Sequence, residues 1–157
     1  MSNYLSDKRK AFALFNSYLA ELYEINGYLP GCGTFQDRFE SVWEAEDSMW
    51  YFLYHKDEMV GFLIIGTGEN CHPNADFYIE EAYILPAYRN QGLMRDFIQP
   101  FIVNHKGVYC MFIIKNNDKA LSYWKHIFKE LQYELVELPW VGEWDDSVIQ
   151  YGWKPKK

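Results

Sequence analysis

The chain has 157 residues and a mass of 18.7 kDa, enough for one domain with one buried core, and 49% hydrophobic against 24% charged residues exclude disordered, collagen-like and low-complexity readings. Twenty-two acidic against fifteen basic side chains leave a net charge of −7, which opposes a nucleic acid partner because phosphate binding needs clustered Lys and Arg. The longest apolar run, Phe62-Leu63-Ile64-Ile65, is far short of the roughly 20 residues of a membrane span, so no membrane partner is expected.

In residues 7–25 the apolar side chains fall at Ala11, Leu14, Phe15, Tyr18, Leu19, Leu22 and Ile25, the three-four spacing of one helix face. Asn26-Gly27 ends that helix, residues 28–33 with Pro30, Gly31 and Gly33 read as a loop, and a second helix is predicted over 35–44. Residues 49–55 and 59–66 are aromatic and β-branched runs on either side of Lys56-Asp57-Glu58, which predicts a hairpin. A loop containing Gly68, Asn70 and Pro73 leads to a strand at 76–85, a helix at 93–104, a strand at 108–114 and a helix at 119–131. Two closing strands, 133–137 and 147–152, bracket a loop at 138–146 that carries Pro139, Trp140, Gly142 and Trp144. The order ααβββαβαββ predicts a single α/β domain over 1–157, a mixed sheet flanked by helices.

Cys32, Cys71 and Cys110 are odd in number and form no CxxC pair, so reduced thiols are expected. Lys8-Arg9-Lys10 is followed by too short an apolar run for a secretory signal, which predicts a cytoplasmic protein. His55, His72, His105 and His126 are too scattered for a zinc site, and no metal is expected. Nothing in the sequence excludes a homodimer.

The segment that carries chemistry runs Ile79-Glu80-Glu81-Ala82-Tyr83-Ile84-Leu85-Pro86-Ala87-Tyr88-Arg89-Asn90-Gln91-Gly92-Leu93-Met94, from a strand through a polar glycine turn into an amphipathic helix. Such a turn presents unpaired backbone N–H groups at a helix N-terminus, where the helix dipole also favours an anion, so phosphate is the natural ligand. Other nucleotide motifs fail: Gly66-Thr67-Gly68 lacks the third glycine, which would fall at Cys71, and no GxxxxGK occurs. Glu80 and Glu81 are neighbours on a strand, where alternation sends them to opposite faces, so one at most should point into a cleft.

These residues resemble the GNAT N-acetyltransferase superfamily, whose acetyl-CoA signature, Arg/Gln-x-x-Gly-x-Gly/Ala, follows a strand written IEELYVxPxYR. Arg89-x-x-Gly92-x-Met94 fits two of the three signature positions, and Ile79 to Arg89 is in register with the strand. Met94 departs from the pattern, at a position where a side chain would crowd the pyrophosphate or shift the turn. Asn117-x-x-Ala120-x-x-x-Trp124 is similar to a second family motif, Asn-x-x-Ala-x-x-x-Tyr, with tryptophan in place of tyrosine and Tyr123 adjacent. The family's first strand has little sequence here to occupy.

The resemblance implies a mostly antiparallel GNAT-like sheet and direct transfer of acetyl from acetyl-CoA to a primary amine of a small molecule or basic peptide, without metal. The alternative is a CoA-binding or interaction module of the same fold that lacks catalysis. CoA contacts would come from Tyr83, Ile84, Leu85, Arg89, Asn90, Gln91, Gly92, Leu93 and Met94, with Asn117, Ala120 and Trp124 on the following helix. Glu81 is the first choice for the general base and Glu80 the second, with backbone N–H near Ile84 meeting the oxyanion. Tyr123 is assigned the proton for the leaving thiolate on chemistry, although helical geometry favours Trp124 and apolar periodicity makes Trp124 core. The acceptor is expected between the loops at 28–34 and 140–146, where Trp140 and Trp144 stand among carboxylates, and anionic acceptors should be poor.

Overall fold

The computed structural model describes residues 2–27, 33–136 and 148–156, with side chains from Ser6 onward except at 26. Helices α1 (Ser2–Asn26) and α2 (Phe35–Trp43) precede a hairpin of β1 (Ser48–His55) and β2 (Glu58–Thr67). Then come β3 (Phe77–Ile84), α3 (Leu93–Asn104), β4 (Tyr109–Ile114), α4 (Asp118–Glu130), β5 (Tyr133–Val136) and β6 (Val148–Pro155). This is the order the sequence predicts. The last strand runs further than expected because Trp153 and its neighbours keep pairing, Trp153 with Tyr109 on one side and with Leu135 on the other. The loop at 138–146, most of the loop at 28–33, Cys32, and the outer ends of the two closing strands at 137 and 147 lie outside the described residues.

Among the described residues the strands form one six-stranded sheet in the order β1-β2-β3-β4-β6-β5, in which β3–β4 is parallel and the other pairs are antiparallel. β2 is covered on both faces: every residue from Met59 to Gly66 is buried, which is why its sequence is a continuous apolar run instead of an alternation. One face packs α3 and α4 against Leu63, Ile79, Met111 and Trp153. The other packs α1 and α2, through Phe15, Leu19, Phe39 and Val42, against Phe62, Ile64 and Tyr83. A capping box starts α2: Thr34 Oγ1 accepts from Asp37 N and Asp37 Oδ2 accepts from Thr34 N, both at 3.0 Å.

The expectation of free thiols is corrected at two positions. A short 3₁₀ turn at Gly68–Asn70 folds Cys71 onto β4, where it is joined to Cys110 by a disulfide that closes 39 residues of chain, with Cα atoms 6.1 Å apart. Residue counting sees spacing but not this fold-back. Among the described residues no helix is long and apolar enough to cross a membrane, and no group of three His, Cys, Asp or Glu side chains could hold a metal ion.

Candidate active site

β3 is regular only in its first half. Its parallel ladder with β4 covers Phe77↔Tyr109, Tyr78↔Cys110 and Ile79↔Met111 and then stops, while its ladder with β2 continues to Ile84. The two strands part beyond Ile79, leaving one edge of β3 open. Along the β2 side, Ile65 pairs with Ile79 and Ile64 with Glu81, so Glu80 is an extra, unpaired residue, a β-bulge.

The bulge overturns the expectation from alternation. Before it, Ile79 faces α3 and α4; after it, Ala82 and Ile84 take that face and Tyr83 joins the α1 and α2 core. Glu80 and Glu81 therefore lie on the same face. Glu80 sits over Gly66, where a Cβ would run into Oε1, and accepts a 2.6 Å hydrogen bond from Ser48 Oγ. Glu81 accepts from Tyr18 Oη on α1 and, at 2.9 Å, from Arg38 Nη2 on α2. Burial raises the Glu80 carboxyl above its ordinary value and the Glu81 charge adds to this, against the Ser48 hydrogen bond.

Between the parted strands is a cleft of about 90 Å³. Glu80, Glu81 and Ala82 line it from β3, Met111 to Ile114 from β4, Tyr18 and Leu22 from α1, and Asn117, Ala120 and Trp124 from α4. Leu85 N bonds back to Val60 O, so by alternation the N–H groups of Ile84 and Ala82 point away from β2, toward the gap. They can meet an oxyanion or an extended chain laid along the open edge. Asn117 spends its side-chain oxygen on Ala120 N at 3.3 Å as the cap of α4.

Past β3, the chain turns through Asn90 at φ 62 and Gly92 at φ 76 before α3 begins. A Cβ on Gly92 would meet the Arg95 guanidinium at 2.8 Å, and the backbone there is in the left-handed region. Met94 points into the α3 and α4 core and is buried, so its side chain does not crowd the turn as expected. Asn90 and Gln91 are exposed at the turn and Leu93 is half-buried.

Three expected site residues are placed elsewhere. Arg89 folds inward: Nη2 donates to both carboxylate oxygens of Glu21 on α1 at 2.9 Å, Nε donates to Ile84 O at 2.9 Å, and the guanidinium lies 5.3 Å over the Tyr83 ring. The Tyr83 side chain, turned to that face by the bulge, donates to Glu21 and is not at the cleft. Tyr123 packs into the α3 and α4 core with its hydroxyl buried, without a hydrogen-bond partner among the described residues and raised by burial, whereas Trp124 lines the cleft.

Tyr18 and Arg38 were missed as site residues, yet the sequence carried a signal for each. Tyr18 puts a hydroxyl into the apolar stripe of α1, and a buried phenol needs a partner. Arg38 falls among Phe35, Phe39 and Val42 on the apolar stripe of α2, where a charge has to be paired.

The chain's likeness to known proteins agrees with this geometry. Residues 12–128 match the model of the acetyltransferase (GNAT) family. No curated protein sequence matches the chain. Among solved structures, an acetyltransferase from Thermus thermophilus is similar at TM-score 0.65 and 17% identity, over 94% of this chain and 90% of that one. Diaminobutyrate acetyltransferase EctA from Paenibacillus lautus, in complex with L-2,4-diaminobutyric acid and coenzyme A, is similar at TM-score 0.61 and 12% identity, over 96% and 90%. The PaiA N-acetyltransferase from Thermoplasma acidophilum, in complex with coenzyme A, is similar at TM-score 0.59 and 9% identity, over 96% and 94%. With the family model spanning most of its length and the fold shared throughout, the chain belongs to the GNAT acetyltransferase family.

Proposed function

We propose that the protein is an N-acetyltransferase that moves acetyl directly from acetyl-CoA to a primary amine of a small molecule. The observation that carries this reading is the parting of β3 and β4 at a bulge that delivers two carboxylates to the resulting cleft. The pantetheine arm would lie along the open edge beside Ile84, and the pyrophosphate on the backbone N–H groups from Gly92 into α3. Neighbours of the same fold hold coenzyme A, which supports this placement.

The amine must lose a proton to attack. Glu80 suits that task better than Glu81, because its proton affinity is raised by burial and Ser48 engages only one of its oxygens. Both oxygens of Glu81 are occupied, by Arg38 and Tyr18. Attack forms the C–N bond, the tetrahedral oxyanion meets the Ile84 N–H, and collapse breaks the C–S bond to release CoA thiolate. Tyr18 lines the cleft and Tyr123 does not, so we assign Tyr18 the hydrogen bond to the departing sulfur, made by turning its one O–H away from Glu81. The test is amine-dependent release of free thiol from acetyl-CoA, with the acetylated amine identified by mass. A chain that binds CoA but releases no thiol with any amine is the non-catalytic module instead.

A further inference from the structure

Next to the carboxylates of the cleft, on the α1 and α2 face of the sheet, stands a cation that the reaction itself does not require. Arg38 stands behind Glu81 on the face where the bulge gathers the carboxylates, and its only hydrogen bond to the described residues is the 2.9 Å contact from Nη2 to Glu81. A guanidinium has five N–H donors in a planar fork, so four remain. The Arg38 side chain is 40% exposed whereas Glu81 is 10% exposed, so the open side of this ion pair is the arginine. Glu81 and the packing of α2 fix the guanidinium in place, and a planar donor edge held in this way matches a carboxylate. The other charges near it are Glu80 and Glu81, with Asp47 beyond Glu80. Three carboxylates oppose an acceptor with a second negative charge, and Glu80 calls for an amine. Resting on the N-acetyltransferase reading, we infer that the acceptor is a zwitterion, an amino acid whose single carboxylate docks on Arg38 while its amine meets Glu80.

This narrows the expectation of a primary amine on a small molecule or basic peptide. Polyamines would satisfy Glu80 and leave the fork of Arg38 hydrated. Dicarboxylates and phosphate monoesters would satisfy Arg38 but place excess negative charge against Glu80 and Glu81.

The experiment compares matched pairs at saturating acetyl-CoA: L-ornithine, L-lysine and β-alanine against putrescine, cadaverine and ethylamine, with the carboxamides of the three acids and O-phosphoethanolamine alongside. At least one amino acid should exceed its decarboxylated and amide partners by about 10- to 100-fold in kcat/KM, the worth of one charge-assisted contact. In Arg38→Met the amino acids should lose about 10- to 100-fold more kcat/KM than the decarboxylated amines, through a higher KM; Arg38→Lys should recover part of the preference. Amines without a carboxylate reacting as well as the amino acids, or O-phosphoethanolamine leading the panel, overturns the inference and leaves the acetyltransferase reading standing. Equal loss of both series in Arg38→Met makes Arg38 a support for Glu81 only, and likewise overturns it. No thiol release with any amine, from a protein that binds CoA, removes both readings together.

Discussion

The two halves of β3 belong to one strand and have opposite fates. Phe77 to Ile79 is paired on both edges and sits in the sheet as any central strand does. Glu80 is unpaired and Glu81 to Ile84 is paired on one edge only, and the features of the candidate site gather here: the cleft, the inward N–H groups and the two carboxylates on one face. A single extra residue separates the two regimes. A buried sheet satisfies its backbone groups internally; a catalytic sheet has to leave some unpaired, at a place where a substrate can use them.

The most severe way to break this contrast is to delete Glu80. Removing the extra residue makes Ile65↔Ile79 and Ile64↔Glu81 consecutive pairs, so Glu81, Ala82, Tyr83 and Ile84 keep their faces while the bulge and the second carboxylate on that face are lost. A cooperative melting transition should persist, while amine-dependent thiol release falls at least as far as in Glu80→Ala; a deletion variant with parental turnover would show that the bulge is dispensable.

Glu80→Gln leaves the strand intact and removes only the carboxylate proposed as the base. Turnover should fall by about 10² to 10⁴, with a smaller loss in Glu81→Gln. Because burial raises the Glu80 carboxyl, the acidic limb of the pH–rate profile should lie above the ordinary carboxylate range, with activity lost as pH falls through it. Stability has the opposite sign. A carboxyl raised in the folded state binds its proton more tightly there than when unfolded, so its contribution is full at low pH and is lost as pH rises through the folded value. Glu80→Gln should therefore melt no lower than the parent at neutral pH, and an equal collapse of activity in Glu81→Gln would return the base to residue 81.

On the cofactor side, Gly92→Val should weaken CoA binding by about 10- to 100-fold, since a β-branched residue is strained at φ 76 and would push against Arg95. Calorimetry on the two proteins measures it. The smallest effects separate the two tyrosines. Tyr18→Phe should lower turnover by about tenfold, while Tyr123→Phe, which removes a buried hydroxyl without a partner among the described residues, should leave turnover within about twofold. The reverse order would put the thiolate's partner back on α4.

Local rules made most of the architecture legible. Periodicity found the helices and strands in order, and the glycine turn before α3 was readable because Gly92 follows a strand and opens a helix. The bulge was not readable, because period-two alternation contains no sign that one residue is left unpaired, and so Glu80 and Glu81 were sent to opposite faces. Met94 was read from its place in a motif, whereas the direction of its side chain is set by the helix that follows. Tyr123 was chosen for its chemistry against the helical geometry, and the geometry prevailed. The Cys71–Cys110 link depends on a fold-back that no spacing rule describes.

The inward fold of Arg89 changes how the signature should be read in a mutational scan. Its guanidinium ties the start of the cofactor turn to Glu21, one helical turn from Tyr18 and beside Leu22, the residues with which α1 walls the cleft. A substitution at 89 would loosen a wall of the cleft, and an assay of cofactor affinity alone would record that as a lost phosphate contact. The same lesion made from the other end, at Glu21, touches no residue of the signature and should produce the same phenotype.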